Sequence, residues 1–385
     1  MRQDYEHMTG SQNTTAVAIL GSGPAGSATA LLLSRSGIDA CIIEPSLKEV
    51  WKAGEALPPA ARHSLITMGL WDRFLRDEHQ PWYGNTSAWG SSRTAEHDFI
   101  FNANGCGWHL DRARFDKMLV TAAIEAGTRL FRAARLVRSW SVGDSGWELE
   151  LLSGQTLWRL KASFVVDASG RASCFARRAG ARRVSYDNLV GITTLLHRPT
   201  ERSEWDRSTL VESTRNGWWY SAPLPDSSLT VTYFTDADHP CARLATTVQG
   251  WMSLVRDSLH HRRRVEAGPY AVTAPPRVFS ANSSCLSHRA GGGWLGVGDA
   301  AHSYDPLSSQ GILTALTSSA LACTTIHLHL EGDRDAWRGY SSTMESAYRR
   351  YLDERNAYYQ IETRWPTSQF WERRTNLKTS LERKD

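Results

Sequence analysis

Glycines with the spacing of a dinucleotide-binding loop lie near the start of the chain, at residues 21–26, which read Gly-Ser-Gly-Pro-Ala-Gly. An apolar strand is predicted over 15–20 before the loop, and an Ala- and Leu-rich helix is predicted from the loop to Ser34. Glycine lets a backbone approach a pyrophosphate closely, and an acid roughly twenty residues later binds the adenosine ribose. The residues expected to bind a dinucleotide are Gly21, Gly23, Ala25, Gly26 and Glu44.

A second loop that is suited to an anionic group spans residues 298–311 and reads GDAAHSYDPLSSQG. It follows an apolar run at 294–297, predicted as a buried strand, and precedes an apolar helix predicted over 312–328. The N-terminus of a helix presents unpaired N–H groups and partial positive charge, which favour an anionic partner. Taken alone, the loop also fits an ordinary strand–loop–helix connection with a capping serine. The matching loop at 21–26 favours a cofactor site that both segments share.

The composition argues against several other classes of protein. The net charge is +4 over 385 residues, and basic patches such as 260–264 come without a nucleic-acid-binding motif, so we expect no nucleic-acid partner. The six cysteines include no C-x-x-C pair, which predicts neither a metal site nor a disulfide framework and favours a cytoplasmic setting. Glycines interrupt the apolar segment 16–33, so we expect neither a signal peptide nor a membrane span. The polar residues 1–14 are predicted to be disordered.

Several longer motifs make the chain resemble the single-component flavoprotein hydroxylases, and in more detail the branch of flavin-dependent tryptophan halogenases. The matching segments are 54–59 (GEALPP), 107–112 (GWHLDR), 167–171 (DASGR), 305–311 (DPLSSQG), 364–366 (RWP) and 370–371 (FW). Within that branch the chain is most similar to flavoproteins that mature tryptophylquinone cofactors in amine and amino-acid oxidases. Those proteins hydroxylate a tryptophan side chain inside a partner protein. The resemblance covers nearly the whole chain, and its motifs specify the cofactor more closely than the substrate.

The resemblance implies an α/β fold with two interleaved domains: a Rossmann-like FAD-binding domain of the p-hydroxybenzoate hydroxylase type and an antiparallel-sheet substrate domain. Strands that alternate with polar turns between 182 and 270 agree with such a sheet. The predicted boundaries are 14–80, 100–180 and 275–330 for the FAD-binding domain, 81–99 and 181–274 for the substrate domain, and 331–385 for a C-terminal helical segment. The Trp-containing stretch 82–100 is predicted to form a hairpin over the active site.

The resemblance also implies further contacts to FAD. The candidate residues are Glu55, Ala56, Arg112, Asp167, Gly298, Asp299, Pro306, Gln310, Gly311 and Ile312. Glu55 and Ala56 are expected near the isoalloxazine edge, unless Gly54 and the following prolines only shape a turn. Arg112 either meets the pyrophosphate or is a surface residue of a helix. The expected reductant is NADH or NADPH, bound transiently over the FAD or acting through a separate flavin reductase, because the sequence holds no second dinucleotide loop.

A flavin hydroxylase stabilises negative charge on the reduced flavin, keeps water away, and holds an electron-rich aromatic ring at the flavin. Backbone N–H groups at the start of the helix after 311 suit the first task, and Pro306 in a tight loop suits the second. The candidate catalytic residues are Pro306, Ser308, Trp218 and Tyr220. The stretch 217–225 (GWWYSAPLP) either stacks a planar substrate or is simply a half-buried aromatic strand. It contains no basic residue, which favours a tryptophan presented on a polypeptide that has no free carboxylate to anchor.

Halogenation is the neighbouring chemistry, and three departures argue against it. The lysine that relays the halogen in such enzymes has no counterpart between Ala53 and Asp116, the W-x-W-x-I-P motif reads WWYSAP over 218–223, and Ser308 stands where those enzymes have a glutamate. We therefore predict an FAD-dependent monooxygenase that hydroxylates an electron-rich aromatic ring, namely a tryptophan side chain in a partner polypeptide. The alternatives are a hydroxylase or halogenase of a small aromatic natural product, and a non-catalytic flavin-binding maturation scaffold.

Overall fold

The computed structural model describes residues 13–47, 51–197, 208–267, 270–272 and 274–375, so nearly all of the segment predicted to be disordered lies outside the described residues. The strands in chain order are β1 (Thr14–Leu20), β2 (Ala40–Glu44), β3 (Ala56–Leu57), β4 (Gln80–Trp82), β5 (Gly84–Ala88), β6 (Ala95–Asp98), β7 (Gly107–His109), β8 (Arg129–Arg132), β9 (Ala134–Ser141), β10 (Trp147–Ser153), β11 (Thr156–Asp167), β12 (Arg183–Ser185), β13 (Leu189–His197), β14 (Thr209–Thr214), β15 (Gly217–Pro223), β16 (Leu229–Asp236), β17 (Ala271–Val272), β18 (Arg277–Ser280), β19 (Ser284–Leu286), β20 (Ala290–Gly291), β21 (Trp294–Gly296) and β22 (His302–Ser303). The helices are α1 (Pro24–Arg35), α2 (Ala61–Thr67), α3 (Trp71–Arg76), α4 (Arg112–Glu125), α5 (Pro240–Leu244), α6 (Val248–Arg256), α7 (His260–Glu266), α8 (Gly311–Leu330), α9 (Trp337–Gln360) and α10 (Gln369–Thr375).

The first sheet is built around β1, which runs parallel to β2 on one side and to β11 on the other. Strand β8 continues the sheet beyond β2, and β21 continues it beyond β11, again in parallel. Strands β1, β2 and β21 are short and mostly buried, as expected for a parallel sheet that is covered on both faces, whereas the outer strand β8 is partly exposed. The dinucleotide loop follows β1, and the loop beginning at 298 follows β21, so both leave the carboxyl edge of one sheet. That edge is where open α/β sheets bind ligands.

Helices α1 and α8 pack together against this sheet. The Ser319 hydroxyl of α8 donates to the Ala25 carbonyl of α1 at 2.8 Å, and the small residues of both helices permit this close approach. By length and composition alone, α8 is the one helix of the described residues that is long and apolar enough to cross a membrane. Its apolar side chains instead join the core of the first sheet, among them Leu316 and Ile326. The apolar character of α8 is therefore explained by its position in the core.

The second sheet is antiparallel for most of its width and runs in the order β17-β13-β16-β15-β14-β5-β6. One face packs on α6 and α7, where Trp219 meets Trp251 edge to face at 5.2 Å. Successive side chains of a strand point to opposite faces, so Trp218 and Tyr220 share the other face, which is turned toward the first sheet. The second sheet therefore offers only one of its two faces to a ligand.

Some segments lie elsewhere than the sequence patterns indicate. Strand β18, placed by sequence in the FAD-binding domain, pairs with β13 and extends the second sheet. The stretch 82–100 divides, because β4 joins a small sheet with β3 and β7 while β5 and β6 form a hairpin at the edge of the second sheet. The residues of β6 are exposed, and none of the residues of this hairpin lines the site cavity described below. The predicted domain boundaries otherwise stay a prediction.

Helices α9 and α10 connect the two sheets through buried ion pairs. Arg355 of α9 pairs with Asp187 at 2.9 Å, and Arg374 of α10 pairs with Asp236 at 2.7 Å. The Trp371 indole N–H donates to the Thr214 carbonyl on β14 at 2.9 Å. Buried charges are tolerated only when they are paired and hydrogen-bonded, so these contacts fix where the C-terminal helices sit.

Candidate functional site

A cavity of approximately 890 Å³ lies between the carboxyl edge of the first sheet and the free face of the second. On the side of the first sheet, the cavity is lined by residues 20–25, 51–56 and 309–312, together with Asp305 and Pro306. On the second sheet the lining residues are Thr193, Tyr220, Thr230, Thr232, Phe234, Phe279 and Ser280. This volume falls in the range of binding sites for small ligands and cofactors. The two predicted loops and the second sheet thus border one continuous cavity.

The dinucleotide loop is shaped by two different demands on its glycines. Gly21 has φ +111°, and a Cβ atom there would lie 2.5 Å from the Ala168 carbonyl oxygen. A Cβ atom at Gly26 would collide with the Gly21 carbonyl oxygen, so this glycine is required by packing of α1 on the loop. At Gly23 the Lys52 Nζ, at 3.9 Å, is the only atom of the described residues within 4 Å of such a Cβ. Gly23 therefore leaves open space on the cavity side, as a cradle for a pyrophosphate needs.

Glu44 lies at the end of β2 and lines the cavity beside this loop. Its Oε2 accepts hydrogen bonds from the backbone N–H of Ser22 at 2.9 Å and from the Ser22 hydroxyl at 2.6 Å. Its Oε1 accepts from the Ser46 N–H at 2.9 Å. A carboxylate has about four acceptor positions, so one remains for a ribose hydroxyl. Glu44 is thus held in place by the loop that it serves.

Two of the predicted cofactor residues support the cavity from behind. Asp167 is fully buried, and its Oδ2 accepts from the backbone N–H groups of Phe175 and Ala176 at 2.9 and 2.8 Å. A Cβ atom at Gly298 would lie 2.8 Å from the Ala25 Cβ, so this glycine lets the second loop approach α1. Asp299, in contrast, lines the cavity. Asp167 and Gly298 therefore shape the site through other residues.

The segment from Asp305 to Ile312 brings the N-terminus of α8 to the cavity. Pro306, Gln310, Gly311 and Ile312 all line it. The Ser308 hydroxyl donates to the Asp305 carbonyl at 2.8 Å, and Ser309, with φ +51°, lines the cavity in its place. Free N–H groups at the first turn of α8 give this end of the cavity partial positive charge, which suits the anionic end of a reduced flavin.

Glu55 and Tyr220 lie together where the segment 51–56 meets the second sheet. Both line the cavity, yet the Glu55 side chain and the Tyr220 hydroxyl oxygen are buried by surrounding protein. Burial raises the pKa of the Glu55 carboxyl, while the nearby Tyr220 hydroxyl and Arg112 act in the opposite direction. The Tyr220 hydroxyl is close to Glu55 but completes no hydrogen bond of good geometry with any described group. The pair therefore places a carboxyl and a phenol hydroxyl side by side where the cavity meets the second sheet.

Arg112 links the start of α4 to the segment 51–56. Its Nη1 donates to the carbonyl oxygens of Ala53 and Gly54, both at 2.7 Å, and its Nη2 pairs with Asp116 at 3.3 Å. Asp116 also pairs with Lys52 at 2.8 Å. Because Arg112 lines the cavity and organises the Glu55 segment, it is more than a surface residue of a helix.

Trp218, one of the predicted catalytic residues, lies behind the cavity wall and does not line the cavity. Its ring is 1% exposed and stacks on Phe234 with ring centroids 4.0 Å apart. Phe234 and Phe279 present the aromatic surface to the cavity, and Trp51 lies beside Phe279, with ring centroids 6.4 Å apart. The alternation of the strand places Trp218 and Tyr220 on the correct face, but the neighbouring strand brings Phe234 in front of the indole.

A chain of hydrogen bonds runs from Trp218 to the second loop. The Trp218 indole N–H donates to the Tyr359 hydroxyl at 3.1 Å, and that hydroxyl donates to Asp305 Oδ2 at 2.8 Å. Asp305 Oδ1 in turn accepts from the Leu307 N–H at 2.9 Å. These hydrogen bonds thus connect the second sheet to helix α9, and helix α9 to the loop around Pro306. Trp218 positions this loop and the Phe234 ring.

Glu55→Gln is expected to make the protein progressively more stable than the wild type as the pH rises. Folding raises the pKa of the Glu55 carboxyl. At pH values above the ordinary pKa of a glutamate, this carboxyl therefore binds more protons in the folded state than in the unfolded state. Its contribution is therefore lost with rising pH, whereas an amide does not titrate. Urea unfolding of FAD-loaded wild type and variant between about pH 5 and pH 8 measures this difference. A difference that stays constant over this range would contradict a Glu55 pKa that burial raises in the folded state.

Several cavity residues escaped the sequence patterns. They are Trp51, Thr193, Thr230, Thr232, Phe234, Phe279 and, in the layer behind, Tyr359. The alternation of Thr230, Thr232 and Phe234 along β16 indicated one face of a strand, but nothing in it indicated that this face meets a ligand. Threonines in a strand are ordinary, so their contribution becomes visible only when the strands are paired.

The fold and the cavity define a two-domain flavoprotein, because the open cradle at Gly23, the acid at Glu44 and the N-terminus of α8 fit the pyrophosphate, ribose and flavin of FAD. The model of the FAD binding domain family matches residues 14–349, and the chain belongs to that family. The putative FAD-dependent oxidoreductase LodB of Marinomonas mediterranea is 30% identical over 367 residues, which cover 92% of this chain and 95% of that protein.

Two solved structures are also similar. The flavin-dependent halogenase CmlS superposes with a TM-score of 0.84 and 23% identity over 94% of this chain and 68% of its own. The peptidyl tryptophan dihydroxylase QhpG, essential for tryptophylquinone cofactor biogenesis, superposes with a TM-score of 0.74 and 26% identity over 94% of this chain and 78% of its own. The predicted fold class, the FAD cofactor and the flavin-dependent monooxygenase class are confirmed. The protein is a member of the group that comprises flavin-dependent hydroxylases and halogenases.

Proposed function

We propose that the protein hydroxylates a tryptophan side chain presented by a partner polypeptide. The observation that carries this proposal is the neutral substrate end of the cavity. Among the described residues of the second sheet that line the cavity there is no lysine or arginine. The basic lining residues, such as Lys52 and Arg171, belong to the cofactor side. The carboxylate of a free amino acid thus has no cationic partner among these residues, whereas an indole on a polypeptide brings no free charge.

The relatives support the same substrate class. QhpG acts on a peptidyl tryptophan, and its structure is similar to 94% of this chain. LodB, described as a putative FAD-dependent oxidoreductase, is similar over 95% of its own length. The aromatic surface of Phe234 and Phe279 suits a planar, electron-rich ring such as indole.

When bound, FAD supplies the oxygen-activating chemistry, and the chain positions and shelters the reactants. Free N–H groups at the start of α8 stabilise negative charge, and Pro306 adds a wall that donates no proton. Phe234 and Phe279 hold the ring, while Tyr220 and Glu55 provide hydrogen-bonding groups beside it. We expect electrons from NADH or NADPH, delivered directly or by a flavin reductase, and a cytoplasmic setting.

A halide-relaying lysine has no counterpart at this substrate end. Lys52, the lysine that lines the cavity within the described residues, pairs with Asp116 at 2.8 Å. Its ammonium lies 3.9 Å from the Cβ position of Gly23, which places it at the dinucleotide loop. The residues at the substrate end are hydroxyl-bearing and aromatic, so they favour oxygen transfer over delivery of a halogen.

The proposal predicts a product that mass spectrometry identifies. FAD-loaded protein, supplied with NADH, a flavin reductase and oxygen, is expected to add one or two oxygen atoms to a tryptophan of a polypeptide co-encoded with it in its native host. Free L-tryptophan in the same reaction is expected to gain none, because its carboxylate finds no lysine or arginine among the described lining residues of the second sheet. Bromide is included in every reaction so that halogenation is scored in parallel.

Three outcomes would overturn the proposal. Oxygen incorporated into free L-tryptophan with the polypeptide unchanged would indicate a small-molecule hydroxylase. A brominated indole would indicate a halogenase. Stable binding of the polypeptide without any oxygen consumption would indicate a flavin-binding maturation scaffold.

A further inference from the structure

Strand β18 forms an open edge of the second sheet directly beside the cavity. It pairs with β13 in an antiparallel register that runs from Val190↔Ser280 to Thr193↔Arg277, and no other strand of the described residues pairs with it. Phe279 and Ser280 of this strand line the cavity. A single strand is therefore both an edge of the sheet and a border of the cavity.

The backbone of β18 leaves hydrogen-bonding groups unused along this edge. The Ala281 N–H donates to the Leu189 carbonyl at 3.0 Å. In an antiparallel pair, residues that bond to the neighbouring strand alternate with residues that do not, so the N–H and C=O groups of Val278 and Ser280 point outward. Neither residue makes a backbone hydrogen bond to another segment that the structure describes, and Val278 is 54% exposed. This edge can therefore accept a further strand.

The opposite edge of the sheet is formed by β6 and lies away from the cavity. Among the described strands β6 pairs only with β5, and none of its residues lines the cavity. The Phe99 N–H donates to the Tyr83 carbonyl at 2.7 Å, so by the same alternation Glu96 and Asp98 direct their backbone groups outward. Strand β6 therefore offers a matched edge that has no cavity beside it.

Two aromatic rings and a cation lie at the β18 edge. Arg277 and Phe279 are two positions apart in the strand, so they belong to the same face of the sheet. The Trp51 ring, which also lines the cavity, meets the Phe279 ring edge to face at 6.4 Å, and the Arg277 guanidinium lies over the Trp51 ring at 5.2 Å. Arg277 is exposed and forms no ion pair with a described carboxylate.

These features are complementary to an extended polypeptide that carries a tryptophan and an acidic residue on one face. We propose that the open edge of β18 binds the target segment of the partner polypeptide as an added antiparallel strand. The tryptophan of that segment lies opposite Phe279 at the border of the cavity, and the residue two positions away lies opposite Arg277, where a carboxylate is favoured. The proposal rests on the proposed function, which it deepens by naming how the polypeptide is held.

The test measures the binding of a peptide to the FAD-loaded protein by fluorescence anisotropy. The probe is a labelled and capped peptide with the sequence Thr-Glu-Thr-Trp-Thr-Glu-Thr, in which threonine favours extended structure and both acids share the face of the tryptophan. A second peptide carries N-methyl groups on the two threonines that flank the tryptophan, because their N–H groups are the ones expected to bond to Val278 and Ser280. It is expected to bind the wild type at least about tenfold more weakly, since two backbone hydrogen bonds are lost.

Two substitutions in the protein locate the docking edge. Val278→Pro removes an outward N–H and keeps the hydrogen bonds to β13, as prolines on edge strands do. It is expected to weaken binding of the unmodified probe by about fivefold or more. Glu96→Pro makes the same change on β6 and is expected to leave the affinity at the wild-type value. The N-methylated peptide is measured on the wild type, so the test does not depend on the folding of a variant.

Arg277→Gln tests the acidic position of the recognised segment. It is compared on the probe and on a peptide in which both glutamates are glutamines. The substitution is expected to lower the affinity for the glutamate peptide by about threefold, because an exposed ion pair is weak, and to leave the affinity for the glutamine peptide unchanged. Unchanged affinity for the glutamate peptide would remove the acidic residue from the proposal.

The results separate this proposal from the proposed function. Wild-type protein that does not bind the probe, or that binds the N-methylated peptide equally well, would overturn docking at the edge. So would equal affinities of Val278→Pro and Glu96→Pro for the probe. None of these measurements depends on turnover. The proposed function fails on different evidence, the absence of added oxygen in the tryptophan of the co-encoded polypeptide.

Discussion

A Gly23→Ala variant is expected to fold like the wild type and to bind FAD at least about tenfold more weakly, so that it purifies with little yellow colour. Within the described part of the chain, the added methyl group meets no atom closer than the Lys52 Nζ at 3.9 Å. It occupies the space through which the backbone of the loop approaches the pyrophosphate. The dissociation constant for FAD and the urea unfolding midpoint of the flavin-free protein, measured together, separate binding from folding.

Gly292→Ala is the matched control for this experiment. A Cβ atom at Gly292 has no neighbour within 4 Å among the residues that the structure describes, and this glycine lies outside the cavity. It is expected to retain wild-type affinity for FAD. Gly26→Ala provides the opposite comparison, because its methyl group would collide with the Gly21 carbonyl oxygen and is expected to lower stability itself. Wild-type affinity in Gly23→Ala would show that residues 21–26 are not the pyrophosphate cradle.

An Arg355→Met variant is expected to lose about 3–5 kcal/mol of unfolding free energy, the usual cost of leaving a buried charge without its partner. Arg355 is 3% exposed in its side chain and pairs with Asp187, which is 9% exposed, at 2.9 Å. Its Nη1 also donates to the Ser283 hydroxyl at 2.6 Å. These contacts attach α9 to the segment that enters the second sheet, so their loss also loosens Tyr359 and the loop at Asp305. Equilibrium unfolding in urea at neutral pH measures the change.

The same substitution at an exposed position of α9 provides the control. Arg349 pairs with Glu345 at 2.5 Å, with the arginine side chain 76% exposed. Arg349→Met is expected to change the unfolding free energy by at most about 1 kcal/mol, because solvent screens this pair. The double variant Asp187→Asn/Arg355→Met is expected to regain part of the loss, since it removes the uncompensated charge. Equal effects at the two arginines would contradict a buried, fully desolvated pair.

The dinucleotide loop could be predicted because its information is local. Strand β1, the loop 21–26 and helix α1 are contiguous, and the glycine spacing follows from the turn and the packing that any such unit requires. Glu44 follows from the same reasoning, since the second parallel strand ends beside the first loop. The loop from 298 was equally readable, because strand, loop and helix are again consecutive. The resemblance of the motifs to those of flavoproteins then specified FAD as the dinucleotide that these loops are expected to bind.

The substrate end could not be predicted in the same way, because it is made by residues far apart in the chain. Tyr359 is hydrogen-bonded to Asp305, which lies 54 positions earlier in the chain, and to Trp218, which lies 141 positions earlier. No sequence pattern links these residues. Trp218 lies behind Phe234 because β15 pairs with β16 at one particular register. A shift of that register by one residue would turn every side chain of the strand to the other face. Pairings of this kind are set by the packing of the whole sheet.

Only the tertiary structure decided which side chains of the second sheet line the cavity. Strand pairing brought Thr193, Thr232 and Tyr220 to it, and the C-terminal helix fixed the loop that faces it. The physical reason is that local backbone geometry is dictated by neighbouring residues, whereas side-chain neighbours across strands follow from register and burial.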